Sequence, residues 1–163
     1  MRDARDRPAP LARSLVGAVA TEALGRDLGR AVASGDLLAL RGELGTGKTT
    51  LVRGLVAGLG GDPGRVASPT FVLHRVYRGG RLTLHHVDLF RLGTEVDLAL
   101  FALDDLLDGG AVVVEWAELA DLDPYRPVRI HLEAPSPDVR IATIEATAPA
   151  RLRDAFSSRA AST

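Results

Sequence analysis

The segment Gly42-Glu43-Leu44-Gly45-Thr46-Gly47-Lys48-Thr49 carries the spacing G-x-x-x-x-G-K-[ST]. Glycines so placed let backbone N–H groups converge on phosphate oxygens. A helix starting there adds the positive end of its dipole, and the lysine neutralises the β- and γ-phosphates. The Thr49 hydroxyl then suits Mg2+. The pattern is also open to a plain Gly-rich turn, but a buried-type strand before it and an amphipathic helix after it supply the context that phosphate binding needs.

Phosphoryl chemistry also needs carboxylates near the metal and the attacking group, and these usually stand at the C-terminal ends of strands beside the P-loop strand. Two acids qualify. Glu115 follows Val112-Val113-Val114, and Asp88 ends Leu82-Thr83-Leu84-His85-His86-Val87, with His86 on the same strand face as Asp88. Either acid alone reads equally well as a solvated strand end or a helix cap. His85 and His86 are too few for a metal site without other ligands, and a strand-borne His more often makes a structural hydrogen bond. Trp116, the only tryptophan, could cover a nucleotide or simply pack. Ser68-Pro69-Thr70-Phe71 lies where P-loop proteins often keep a loop that senses the γ-phosphate.

These residues require an α/β frame. Val16 to Val32 has apolar residues at helical spacing, Gly35 ends that helix, and Leu37-Leu38-Ala39-Leu40 reads as a buried strand. After the Gly-rich loop, Leu51, Val52, Leu55 and Leu59 mark one face of a second helix, closed by Gly60-Gly61. Phe71 to Tyr77 and Arg81 to Asp88 flank Arg78-Gly79-Gly80 and predict an antiparallel hairpin. Val96 to Leu107 predicts a helix, and Ala111 to Val114 a second buried parallel strand. Val128 to Glu133 and Val139 to Ala146 around Pro135-Ser136-Pro137-Asp138 predict a closing hairpin at the sheet edge. The expected fold is a P-loop NTPase: a mainly parallel central sheet flanked by helices, with antiparallel hairpins at the edges.

A length of 163 residues, 46% hydrophobic and 25% charged, fits one domain with its own core. The expected organisation is a flexible extension over 1–12, a P-loop domain over 13–149 and a flexible tail over 150–163, the tail being Ala-, Ser- and Arg-rich with little apolar weight. Leu11 to Ala20 resembles a short secretory apolar run, but Arg13 interrupts it, so it reads as the lead-in to a helix. A net charge of −1 lacks the basic footprint of direct nucleic-acid binding, so any RNA contact runs through partners. The chain has no cysteine and therefore no disulfides. No run is apolar enough to span a bilayer, which predicts a soluble cytoplasmic protein without membrane contact.

Gly42 to Thr50, Ser68-Pro69-Thr70-Phe71, His86-Val87-Asp88-Leu89-Phe90-Arg91 and Val114-Glu115-Trp116, in that order, resemble the motifs of the TsaE (YjeE) family. The similarity runs from about Thr21 to Ala146. It implies a bacterial P-loop ATPase, slow alone and stimulated by partners, that works with TsaD and TsaB to form N6-threonylcarbamoyladenosine (t6A) beside the tRNA anticodon. It implies ATP held by Glu43, Leu44, Gly45, Thr46, Gly47, Lys48, Thr49 and Thr50, with Thr21 near the base and Trp116 and Arg140 also at the nucleotide. It implies Mg2+ on Thr49 and Glu115, Asp88 and Lys48 as catalytic residues, and Ser68, Pro69, Thr70 and Phe71 as the nucleotide-responsive loop. Phe90 stands where the family usually has Tyr, and Thr46 where Ala is common, so no hydroxyl is offered at position 90.

A small-molecule P-loop kinase is the alternative, although the chain offers no long Arg-rich lid. A GTP switch finds no Asn-Lys-x-Asp stretch to read guanine.

Overall fold

In the computed structural model, which describes residues 8–67, 73–93 and 96–158, the strand entering the Gly-rich loop is buried on both faces. In this strand, β2 (Leu37–Arg41), Leu38 and Leu40 join one apolar cluster and Leu37 and Ala39 the other. A strand covered on both sides belongs in the middle of a parallel sheet. β2 duly pairs in parallel with β5 (Gly110–Glu115) and with β6 (Val128–Glu133). β5 pairs in parallel with β4 (Thr83–Asp88), and β3 (His74–Tyr77) closes that side antiparallel. On the other side β7 (Val139–Ile144) pairs antiparallel with β6, and β1 (Leu11–Val16) with β7. The sheet order is therefore β1-β7-β6-β2-β5-β4-β3.

Helices α1 (Gly17–Ala31), α2 (Lys48–Gly58) and α4 (Ala150–Ser157) bury Leu24, Leu28, Leu51, Val52, Leu55, Leu152 and Phe156 in the larger cluster. Helix α3 (Leu103–Gly109) and short 3-10 turns cover the opposite face, with Phe101, Leu103 and Leu122 in the second cluster. Among the described residues no helix is long and apolar enough to cross a membrane.

α1 and α2 cross backbone to backbone through interlocked Gly25, Gly29, Gly54 and Gly58. A Cβ on Gly54 would lie 2.1 Å from the Glu22 carbonyl oxygen, and one on Gly25 2.2 Å from that of Leu51. No larger residue fits this crossing without separating the helices.

Four expectations are corrected. The lead-in to the first helix is strand β1, whose inward positions are Leu11, Arg13 and Leu15. Arg13 masks the alternation because its guanidinium is satisfied by the Phe156 and Ser158 carbonyl oxygens at the end of α4. The tail boundary at 150 also fails, since Leu152 and Phe156, four residues apart on α4, are 0% and 1% exposed. The closing hairpin is not the sheet edge, because β1 lies outside it. Finally, Val96 to Leu107 is not one helix: a 3-10 turn over Leu98–Phe101 and α3 meet at Ala102, with φ of +45°. Phe101 and Leu103 are both buried, yet residues two apart point to opposite sides of a continuous helix, so the backbone turns between them. The predicted first hairpin is present, with strands shorter than expected and Phe71 outside the described residues.

Candidate nucleotide site

Between β2 and α2 the Gly-rich loop turns through Gly47, whose φ of +98° places it in the left-handed region where a Cβ would be strained. This aims the start of α2 into a cleft of about 600 Å3 lined by Leu44, Gly45, Gly47, Lys48, Thr49 and Thr50 of that segment. Clefts of that size hold small molecules. Glu43 and Thr46 shape the loop instead of lining it: Thr46 is 3% exposed and its hydroxyl donates to the Glu43 carbonyl at 2.9 Å.

Lys48 is 5% exposed, and its ammonium donates to the Gly42 and Glu43 carbonyls at 2.6 and 2.8 Å. It also lies 4.1 Å from the centre of the Trp116 ring, a cation–π contact. Burial holds its pKa below the ordinary lysine value, against the opposing pull of Glu115, Glu118 and Asp88.

The parallel register of β4 and β5 places Asp88 directly beside Glu115. Both are 3% exposed, and both line the cleft. The Thr49 hydroxyl donates to Glu115 Oε1 at 2.8 Å, so helix and strand meet through this pair. Asp88 Oδ1 accepts the Phe90 backbone N–H at 2.8 Å, which fixes the carboxylate's orientation. Mg2+ prefers oxygen donors, takes few from the protein and completes its shell with water and phosphate oxygens. The adjacent hydroxyl and carboxylate of Thr49 and Glu115, at the start of a P-loop helix, fit that requirement.

The far end of the cleft comes from distant segments. Gly17, Ala18 and Thr21 of α1 face Pro137, Asp138 and Arg140 of the β6–β7 hairpin. The Gly17 N–H donates to the Asp138 carbonyl at 2.8 Å, closing this wall. Arg140 donates to the Gly45 carbonyl at 3.0 Å and to those of Ser136 and Pro137, tying the hairpin to the P-loop. Phe90 and Trp116 form the lip, ring centres 4.7 Å apart.

Of the residues expected from sequence, Thr21, Leu44, Gly45, Gly47, Lys48, Thr49, Thr50, Asp88, Glu115, Trp116 and Arg140 converge on this one cleft. Ser68, Pro69, Thr70 and Phe71 lie outside the described residues. Gly17, Ala18, Pro137 and Asp138 were not foreseen as lining, because none of the four stands in a motif that announces chemistry. Tyr77 was also missed. It is a core residue by type, but its hydroxyl lies 3.2 Å from His86 Nδ1. Burial pushes its phenol pKa up.

The family model described as "Threonylcarbamoyl adenosine biosynthesis protein TsaE" matches residues 16–142, a span that holds the P-loop, both acids and Arg140. The chain belongs to the TsaE family. A Streptomyces coelicolor protein described as tRNA threonylcarbamoyladenosine biosynthesis protein TsaE is 49% identical over 98 residues, 58% of this chain and 66% of the relative. The chain thus spans just under two thirds of that relative's length. A TsaE protein of Mycobacterium tuberculosis is 42% identical over 135 residues, 76% of this chain and 79% of the relative. Among solved structures, Bacillus subtilis YdiB matches with a TM-score of 0.70 and 28% identity, covering 92% of this chain and 95% of that one. The TsaE architecture, a mostly parallel sheet with a P-loop at the C-terminal end of a central strand, is therefore the P-loop NTPase fold expected from sequence.

Proposed function

We propose that this chain binds ATP with Mg2+ and hydrolyses it in the cytoplasm as a subunit working with TsaD and TsaB, in forming t6A beside the tRNA anticodon. The observation that carries this reading is the hydrogen bond from Thr49 to Glu115, with Asp88 in register beside Glu115, at the mouth of a P-loop. The triphosphate lies along the N–H groups of the P-loop and the start of α2, with the base toward Thr21 and Arg140. Lys48 exchanges its carbonyl partners for β- and γ-phosphate oxygens. Thr49 and Glu115 hold the divalent cation, which neutralises charge on those phosphates. Asp88, fixed by the Phe90 N–H, orients a water for in-line attack on the γ-phosphorus and takes its proton. The products are ADP and inorganic phosphate.

A P-loop binds nucleotide unaided, but fast hydrolysis needs a further positive group at the transition state, often supplied by another protein. Hydrolysis by the chain alone is expected to be slow. The test measures phosphate release and tRNA modification together, for the chain alone and with TsaD, TsaB and tRNA. Partner-stimulated hydrolysis, and modification over many turnovers that requires intact Lys48, support the proposal. ATP consumption that instead depends on an added small-molecule acceptor would mean a kinase.

A further inference from the structure

His86 and Tyr77 bear on the same chemistry without lining the cleft. His86 lies on β4, is 0% exposed, and its Nε2 is 2.8 Å from Glu115 Oε1. A carboxylate only accepts, so Nε2 carries the proton of that bond, and in the neutral ring Nδ1 is the acceptor facing the Tyr77 hydroxyl at 3.2 Å. That hydroxyl also lies 3.5 Å from the Ala67 carbonyl, and with a single proton it serves one of these two acceptors at a time. A line of polar atoms thus runs from the backbone at Ala67 through Tyr77 and His86 to Glu115, inside an apolar core.

Glu115 Oε1 receives two hydrogen bonds at 2.8 Å, from Thr49 and from His86. The two donors differ in kind. Thr49 belongs to the cleft and is itself a candidate ligand, so its hydroxyl must reorient when a cation arrives. His86 is walled off from the cleft and has no competing ligand there, so its bond to Oε1 persists. Two donors on one oxygen leave Oε2 outside the pair and fix rotation about the last side-chain bond. With Thr49 engaged elsewhere, His86 alone sustains that orientation.

We propose that His86, backed by Tyr77, is the positioning residue that presents Glu115 to the divalent cation. This rests on the reading of Glu115 as a metal-holding residue. The physical ground is that a ligating carboxylate is useful only when turned to its metal, and losing the partner that turns it commonly lowers metal affinity about 10- to 100-fold. Tyr77 acts one step further back: its hydroxyl meets Nδ1 and holds the ring in place, while the Glu115 carboxylate itself calls for the proton on Nε2.

The experiment measures Mn2+ affinity by electron paramagnetic resonance on the full chain saturated with ADP. ADP affinity in EDTA is measured in parallel through Trp116 fluorescence, and thermal melts check folding. Expected results are about a 10-fold or greater weakening of Mn2+ binding in His86→Ala, with metal-free ADP affinity unchanged. His86→Gln, whose amide nitrogen can still donate to Glu115, is expected to recover most of the loss. Tyr77→Phe, which removes one oxygen atom, is expected to weaken Mn2+ binding by a smaller factor and remains readable should His86→Ala fail to fold. Normal Mn2+ affinity in Tyr77→Phe and in folded His86 variants, alongside a large loss in Glu115→Ala, overturns the positioning role and leaves the metal assignment standing. Normal affinity in Glu115→Ala overturns the assignment itself, and this inference with it.

Discussion

The two ends of the cleft are built on different principles. At the P-loop end, charged side chains are held almost out of water, with Lys48 5%, Asp88 3% and Glu115 3% exposed, each fixed by a named partner, and His86 behind them 0% exposed. The opposite wall is lined by Gly17, Ala18, Pro137, Asp138 and Arg140, and Arg140 bonds to carbonyl oxygens. Buried charges with fixed partners suit a reaction that moves charge, because no solvent has to reorganise around them. On the proposed reading the opposite wall only has to seat the flat base. Under the proposed function the difference places turnover at one end and affinity at the other.

Removing the proposed base tests that division most severely. Asp88→Asn keeps the acceptor for the Phe90 N–H, with the same shape, but cannot take a proton. Turnover at saturating Mg-ATP is expected to fall about 100-fold or more, with ADP affinity within about threefold of the parent. Measuring both on one preparation decides the matter, since equal losses in binding and rate would mean that Asp88 only supports the fold.

The two ends also differed in how far they could be read in advance. Gly42 to Thr49 is contiguous, and its chemistry is local, so spacing alone announced it. Asp88 and Glu115 were legible because each follows an apolar strand, and in a parallel sheet such strand ends lie together. The base end depends on register between segments more than a hundred residues apart, through β1 and β7, which no local pattern carries. β1 itself was hidden by Arg13, whose charge is answered by α4, and α4 by having only Leu152 and Phe156 to show. The break at Ala102 is likewise a product of packing against the second face of the sheet.

α1 joins the two ends, since Thr21 stands one turn before Gly25 in the glycine crossing with α2. Gly54→Ala forces a methyl group against the Glu22 carbonyl, so the helices must separate. Overpacking of this kind costs about 1–3 kcal/mol, or roughly a 2–12 °C drop in Tm for a chain of this size. Calorimetry checks the drop. The comparison is sharpened if adenosine affinity falls further than pyrophosphate affinity, because the proposed function puts the base against α1 and the phosphates at α2.

Arg140→Ala is expected to act more gently. It removes bonds to the Gly45, Ser136 and Pro137 carbonyls on a partly exposed surface, at about 0.5–1.5 kcal/mol. ADP affinity should weaken about threefold to tenfold while turnover at saturating ATP stays unchanged. A fall in that saturated rate, read by phosphate release, would instead move Arg140 to the chemical end.

The smallest effect is the most discriminating, because its sign is set by Lys48 alone. Burial lowers the Lys48 pKa from its ordinary 10.5, so between the lowered value and 10.5 the unfolded chain holds more proton than the folded one. Raising pH through that window relieves the cost of burying the cation, and Lys48 contributes increasingly to the stability of the nucleotide-free chain. Nucleotide binding has the opposite sign. Phosphates favour the ammonium form, so the complex takes up at most a single proton in the same window, and ADP affinity falls as pH rises. Adenosine, which on the proposed reading seats without phosphates, is expected to show no such linkage. Titration calorimetry of ADP and adenosine at alkaline pH, in buffers of different ionisation enthalpy, reads proton uptake directly. Uptake with ADP, abolished in Lys48→Met and absent with adenosine, locates the electrostatics at the phosphate end; equal uptake with both ligands would dissolve the distinction between the two ends.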